Sequence, residues 1–380
     1  MRIALYCPNK PLSHPDPSGD LVIARGLVAA LTRMGHECCE ASDFRSRWFW
    51  KTWRGRAMAA AGVLQGMRRS LAFRPRLWLT YHTYYKSPDV VGPWIARMLR
   101  IPYVLFQPMY ATRRRKDPST RPGFLWNRSA LRSARHCFTN NLDDLEALSR
   151  AVSRHRITYV PPGIYPEEFR RDRGAGRAVR ERFRMRSREP LLLAAARFRA
   201  DVKFRSLSYL LEALGPLASR RGDFKLALVG SGPMERELKR LAGEKLPGRA
   251  IFAGGVARER MFEYYSAADL FVFPGIGESL GMVFLEAQAC GLPVVALKTA
   301  GVPQVVRHGE TGILVPDDGG AALAGAVEEL LLDPDKRRRL GGNGPVFIRR
   351  ERNLHVNYGL LSEKLAALAA ENQGSRKTES

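Results

Sequence analysis

Twelve short apolar runs, most of them followed by a segment with helical spacing, constrain this chain more than any single motif. RIALYC, ECCEAS, LWLTYH, PYVLFQ, HCFTNN and ITYVPP fill the first half; LLLAAAR, KLALVG, AIFAGG, LFVFPG, PVVALK and GILVP fill the second. Strands alternating with helices in this way predict parallel sheets, and two such sets predict an α/β chain of two Rossmann-like, doubly wound domains facing each other across a cleft. The boundary is expected near Pro161 to Gly176, where PPGIYPEEF gives way to the charged RRDRGAGRAVRERFR. This gives domains over 1–165 and 166–345, a C-terminal helix over 346–370 in NYGLLSEKLAALAAEN, and a disordered tail over 371–380.

At 380 residues the chain is long enough for two cores. Lysine and arginine outnumber aspartate and glutamate by 62 to 37, a net charge of +25, so its partners are expected to be anionic: phosphate-bearing substrates, an acidic membrane surface or nucleic acid. Cys7, Cys38, Cys39, Cys137 and Cys290 are an odd, scattered set. They read as reduced thiols of a cytoplasmic protein, and no metal-ligand spacing is evident. The amino end has too short an apolar run for a signal peptide, and no stretch reaches the length of a membrane span.

The richest stretch runs from Phe271 to Pro316, FVFPGIGESLGMVFLEAQACGLPVVALKTAGVPQVVRHGETGILVP. A strand breaks at Pro274, Gly275 and Gly277, and a helical pattern restarts with Met282, Val283 and Leu285. Free amides at the start of such a helix, from Leu280 to Val283, suit an anion such as phosphate. Glu278 lies in the loop and Glu286 eight positions later, at most about 12 Å apart at helical rise.

Glu278, Ser279, Leu280, Gly281 and Glu286, followed by AQACGLPVVA and GVPQVV, resemble the Glu-x7-Glu signature of glycosyltransferase family 4. The likeness runs over roughly residues 1 to 345. It implies a GT-B fold, an acceptor-binding first domain and a nucleotide-sugar-binding second domain. It also implies sugar transfer with retention of configuration and a UDP-sugar or GDP-sugar as co-substrate; no cofactor is expected, and with no metal-ligand set evident and Asp333 and Asp335 read as a helix boundary, no metal is expected either. Carried over, Glu278 would hold the transferred sugar with the amides of Leu280, Gly281 and Met282, and Glu286 would grip the ribose. Arg197 and Lys203, in ARFRADVKFRSLSYLLEAL, would steady the departing diphosphate. Gly19, which opens a helix in HPDPSGDLVIARG, resembles the glycine set against the donor's diphosphate. Gly230, in VGSGP, either approaches the nucleotide or makes a plain turn. The family commonly has a histidine where this chain has Gln107. Glutamine can hydrogen-bond a sugar hydroxyl but cannot shuttle a proton, and His82 is the fallback.

Residues 45–76 carry nine arginines and lysines and no acid. On one continuous helix Phe49, Trp50, Trp53, Ala57, Ala60, Leu64 and Met67 would share a stripe about 100° wide. Trp48, Trp50 and Trp53 with Lys51 and Arg54 then make either a contact with an anionic membrane or a helix packed on its own sheet.

The function expected is a retaining hexosyltransferase acting on a glycan or lipid-linked acceptor in cell-envelope polysaccharide or glycolipid synthesis. Its place is cytoplasmic, peripheral at the inner face of the membrane if that contact exists. The rivals are a nucleotide-sugar epimerase or a glycoside hydrolase and, from another class, a basic nucleic-acid-binding protein, for which no motif is found.

Overall fold

The computed structural model describes residues 1–15 and 19–378. Contacts divide the chain into one unit of Met1–Pro161 with the segment from His355 onward, and another of Pro162–Leu354.

The first unit runs β1 (Arg2–Tyr6), α1 (Gly19–Arg33), β2 (Glu37–Ser42), α2 (Trp53–Phe73), β3 (Leu77–Tyr81), α3 (Gly92–Met98), β4 (Tyr103–Phe106), α4 (Arg121–Ser133), β5 (His136–Thr139), α5 (Leu142–Ser149) and β6 (Ile157–Tyr159). All six strands are parallel, in the order β2-β1-β3-β4-β5-β6. Register sets Ala4, Trp78 and Tyr103 side by side on one face and Leu5, Leu79 and Val104 on the other. Both faces are covered, which is why these strands read as nearly unbroken apolar runs.

The second unit contains α6 (Arg173–Arg182), β7 (Leu191–Ala195), α7 (Val202–Arg220), β8 (Lys225–Val229), α8 (Glu235–Lys245), β9 (Ala250–Gly254), α9 (Met261–Ala267), β10 (Leu270–Val272), α10 (Met282–Ala289), β11 (Val294–Leu297), β12 (Gly312–Val315), α11 (Ala321–Leu332) and α12 (Pro334–Glu351). Its sheet is also all parallel, ordered β12-β11-β10-β7-β8-β9. Every one of the twelve expected runs is a strand. Asp333 caps α12 by accepting the Lys336 amide at 2.8 Å.

Three local expectations need correcting. The final helix, α13 (Leu354–Thr378), begins later than 346 because α12 continues through Pro345 to Glu351. Residues 371–378, expected as a disordered tail, prolong α13; Asn372 donates to the Arg100 carbonyl at 2.9 Å and Glu371 pairs with Arg135 at 3.2 Å. Glu379 and Ser380 lie outside the described residues.

The third concerns the tryptophan segment, which is not one helix. Thr52 is extended and caps α2 through the Gly55 amide, so Phe49–Lys51 forms a separate 3-10 turn. That turn folds inward. Trp50 is 7% exposed and packs its ring 5.5 Å from both Phe49 and Trp126. Trp48, half-buried, packs its ring 5.2 Å from that of Trp50 at a tilt of 60°, with the Lys51 ammonium over it at 4.2 Å. Trp50 is therefore a core residue rather than a membrane contact, Trp48 packs half-buried against it, and Trp53 alone of the three is exposed.

Candidate active site

Ligands in doubly wound sheets gather outside the carboxyl ends of the strands where the order reverses. In the second unit that point lies between β7, from which the chain winds to β8 and β9, and β10, from which it winds to β11 and β12. The two loops that part there carry the residues singled out above. Arg197 to Asp201 follow β7, and Phe273 to Gly281 follow β10.

The β10 loop is held from two sides and by a turn of its own. Ser206 of α7 accepts the Ile276 amide at 3.1 Å, the Glu278 carbonyl accepts the Gly301 amide at 2.8 Å, and the Glu278 amide donates to Gly275 at 3.1 Å. Gly275, Gly277 and Gly281 all lie in the left-handed region, where only glycine is unstrained. A Cβ on Gly301 would stand 1.7 Å from the Ser279 carbonyl oxygen, so this glycine lets the neighbouring chain press directly on the loop. The loop delivers Gly281 as the N-cap of α10 with no side chain capping the helix. The Met282 and Val283 amides thus begin a helix with their usual intrahelical acceptors missing.

Two ion pairs occupy the site, one of them on the buried Glu286. The Lys203 ammonium pairs with Glu278 Oε1, the two side chains being only 21% and 12% exposed. Burial, reinforced by the Arg199 cation and opposed by Asp201, depresses Lys203 to about 8. Four residues into α10, Glu286 accepts the Tyr265 hydroxyl at 2.9 Å on one oxygen and faces Arg258 Nε at 3.5 Å on the other. Burial raises its pKa, and Arg258 and the Tyr265 hydroxyl offset part of that rise. Arg258 in turn lies 4.8 Å from the Phe169 ring and pairs with Glu168. Each oxygen of Glu286 keeps a lone pair free in principle, so a ligand hydroxyl can still donate to it.

Residues 189–333 match the family model of Glycosyl transferases group 1. All four charged residues assigned to the donor, Arg197, Lys203, Glu278 and Glu286, fall inside the match. The chain is 35% identical over 200 residues to the GDP-mannose-dependent alpha-(1-6)-phosphatidylinositol monomannoside mannosyltransferase of Mycobacterium tuberculosis, covering 50% of this chain and 51% of that one. It thus spans about half the length of the curated mannosyltransferases it matches. Among solved structures it is similar to the sucrose-phosphate synthase of Thermosynechococcus elongatus, with a TM-score of 0.74 and 23% identity over 98% of this chain and 100% of that one. It is also similar to Anabaena HepE in complex with UDP-glucose, with a TM-score of 0.72 and 18% identity over 96% and 99% of the two chains. These likenesses fix the fold as GT-B.

The structure brings Lys203 and Glu278 into contact and leaves Arg197 exposed at the end of β7, with no ion pair among the described residues. Gly230 has a role in its own fold. At φ 151° its missing Cβ would lie 1.8 Å from the Ala196 carbonyl oxygen, so the glycine lets the loop after β8 press on the loop that carries Arg197. Gly19, in the first unit, opens α1 with nothing within 4 Å of a would-be Cβ. Gln107 and His82 end adjacent strands of the first sheet at φ 54° and 59°, and the His82 ring nitrogen Nδ1 lies 3.3 Å from the Gln107 carbonyl oxygen. His82 and Asp20 also line a small cavity with Cys7 and Asn9 at that sheet's own reversal, between β1 and β3. Burial lowers the His82 pKa against the pull of Asp20. Sequence reasoning missed Arg258, Tyr265 and Ser206, which belong to no local motif. Gly301 lay inside the quoted GVPQVV with no role attached.

Proposed function

We propose that this chain is a retaining glycosyltransferase that moves a hexose from a nucleoside-diphosphate sugar to a glycan or lipid-linked acceptor. The observation that carries the reading is the Lys203–Glu278 pair at the strand reversal, inside the segment that matches the family model.

In this mechanism the bond between the sugar's anomeric carbon and the diphosphate oxygen breaks, and a bond from the acceptor oxygen to that carbon forms on the same face. The acceptor's proton passes to the departing phosphate oxygen. Glu278 holds sugar hydroxyls as an acceptor-only carboxylate, while the amides of Leu280, Gly281, Met282 and Val283, with Ser279 beside them, surround the phosphate and sugar. Glu286 takes the ribose hydroxyls, and Arg258 and Tyr265 fix its orientation. Lys203 and Arg197 offset the charge that develops on the leaving diphosphate. Preorganised donors of this kind are each worth about 3 kcal/mol in a site shielded from water. Gly19 gives the donor's phosphates close backbone approach, and Gly230 acts by shaping the Arg197 loop. We assign acceptor recognition to the first unit, with Gln107 as a hydrogen-bonding partner of the acceptor or sugar.

The mannosyltransferase relative makes GDP-mannose the first donor to test, with UDP-glucose second. Nucleoside diphosphate released only when acceptor is present supports the reading. Turnover of donor to a free epimerised sugar, or hydrolysis of glycans with no donor, refutes it.

A further inference from the structure

Most surface helices bury their large apolar residues and expose small or polar ones. α2 does the reverse. Its buried positions are Ala59, Gly62, Gly66 and Ser70. A Cβ on Gly62 would meet Phe44 at 2.5 Å, and one on Gly66 would meet Ile95 at 2.7 Å, so the helix lies tight on its unit through a face of small residues. At 100° per residue, Trp53, Ala57, Ala60, Leu64 and Leu71 fall within about 60° of one another on the far side. Trp53 is 74% exposed and Leu64 72%. The adjoining α3, which supplies that Ile95, turns Trp94 and Met98 outward, 66% and 69% exposed.

The charge around this surface is mainly positive, and the exposed acid set against α2, Asp43, is paired with Arg69 at 3.5 Å. From Phe44 through Leu142 the chain has twenty lysines and arginines against two acids, Asp89 and Asp117. Asp89 is buried, where it accepts hydrogen bonds from Thr80, Tyr103 and the Val91 and Gly92 amides. On α2 itself Arg54, Arg56 and Arg68 flank the exposed apolar stripe, and no acid interrupts it.

We propose that the outward side of α2 and α3 docks on an anionic lipid bilayer, with Trp53, Leu64, Leu71, Trp94 and Met98 entering the boundary between headgroups and acyl chains and the flanking arginines meeting lipid phosphates. Both parts of the surface are then satisfied: apolar area leaves water and the cations find complementary charge. A second copy of this chain would bring like charges together. A nucleic acid would satisfy the cations but leave Leu64, Leu71 and Met98 with no base to stack on. Among the described residues no helix is long and apolar enough to cross a membrane, so the contact is a surface one. The inference does not depend on the transferase reading, because binding is measured without a sugar donor.

The test is sedimentation of the full chain with vesicles of pure phosphatidylcholine and of phosphatidylcholine carrying about 30% phosphatidylglycerol, at about 0.05 M and 0.5 M salt. Binding is expected on the anionic vesicles only, and weaker in high salt. Trp53→Ser with Leu64→Ser and Trp94→Ser should lower the partition coefficient at least tenfold, and each of Arg54→Gln and Arg68→Gln about fivefold. If the triple variant loses its melting transition, the single Trp53→Ser decides, since a side chain three-quarters exposed can be removed without opening the core. Equal binding to neutral vesicles, unchanged binding of the serine variants, or displacement from vesicles by a short DNA duplex held through the same residues would overturn the proposal.

Discussion

Where its strand order reverses, the second unit holds charge under cover: Lys203 on Glu278, and Arg258 with Tyr265 on Glu286. At the corresponding place the first unit has strained backbone instead: His82, at the end of β3, and Gln107, at the end of the neighbouring β4, are both left-handed, and burial lowers the His82 pKa against the pull of Asp20. Both sheets are six-stranded and parallel but differ in strand order, and they differ also in what their strand ends are furnished to meet. In the proposed reaction one end would meet a diphosphate whose charge grows. The other suits hydroxyl groups, which need hydrogen-bonding partners at fixed angles rather than counter-charge. Left-handed non-glycine residues are worth a functional reading because each costs about 1 kcal/mol or more.

The largest test of this contrast is Lys203→Ala, expected to lower kcat/KM with a nucleoside-diphosphate sugar by a hundredfold or more, about 3 kcal/mol. Lys203→Arg should recover part of it. Equal losses from Gln107→Ala and Lys203→Ala, with KM for donor raised in both, would erase the distinction between the ends.

Glycine substitutions separate the two ends by stability. Gly301→Ala forces a methyl onto the Ser279 carbonyl and should destabilise by about 2 kcal/mol while abolishing activity, read by denaturant melts and turnover. Gly19→Ala has open space around it and should leave the melt unchanged or slightly improved. A fall in donor affinity in that folded variant would show the ligand's approach to Gly19.

A smaller effect follows from the depressed Lys203. In free enzyme kcat/KM should decline as pH rises through about 8, up to tenfold per pH unit, and this limb should vanish in Lys203→Arg. The linkage to stability has the opposite sign. Between about 8 and the unfolded value of 10.5 the unfolded chain binds the extra proton, so this group's contribution to stability rises with pH while activity falls.

The smallest change is expected at Gln107→Gly. Release from φ 54° should stabilise the fold by up to about 1 kcal/mol and still reduce transfer to the acceptor more than release of donor to water. A variant that is less stable would show that the glutamine side chain is needed for packing.

Twelve strands, the α/β class and the Glu278 to Glu286 loop were legible in the sequence because each rests on local pattern: unbroken apolar runs, glycine punctuation and a helix start. The tryptophan segment was misread for a related reason. Periodicity saw a continuous stripe from Phe49 to Met67, but Thr52 is extended and resets the register, so the aromatic half turns into the core while Trp53 and Leu64 turn outward. Neither Arg258 nor Tyr265 was visible, since their relation to Glu286 exists only after α9 and α10 pack. Gly230 was noticed as a possible ligand contact, whereas its nearest demand comes from Ala196 of the same unit.

The most direct measurement is the thermal shift of the wild type, Lys203→Ala and Glu278→Gln with GDP, UDP and ADP. The account predicts that one of the first two nucleotides stabilises the wild type by about 2.7 kcal/mol at 100 times its Kd, and that Lys203→Ala loses most of this while remaining folded. A wild type unmoved by every nucleoside diphosphate, or a Lys203→Ala variant that binds them as tightly as its parent, would contradict it.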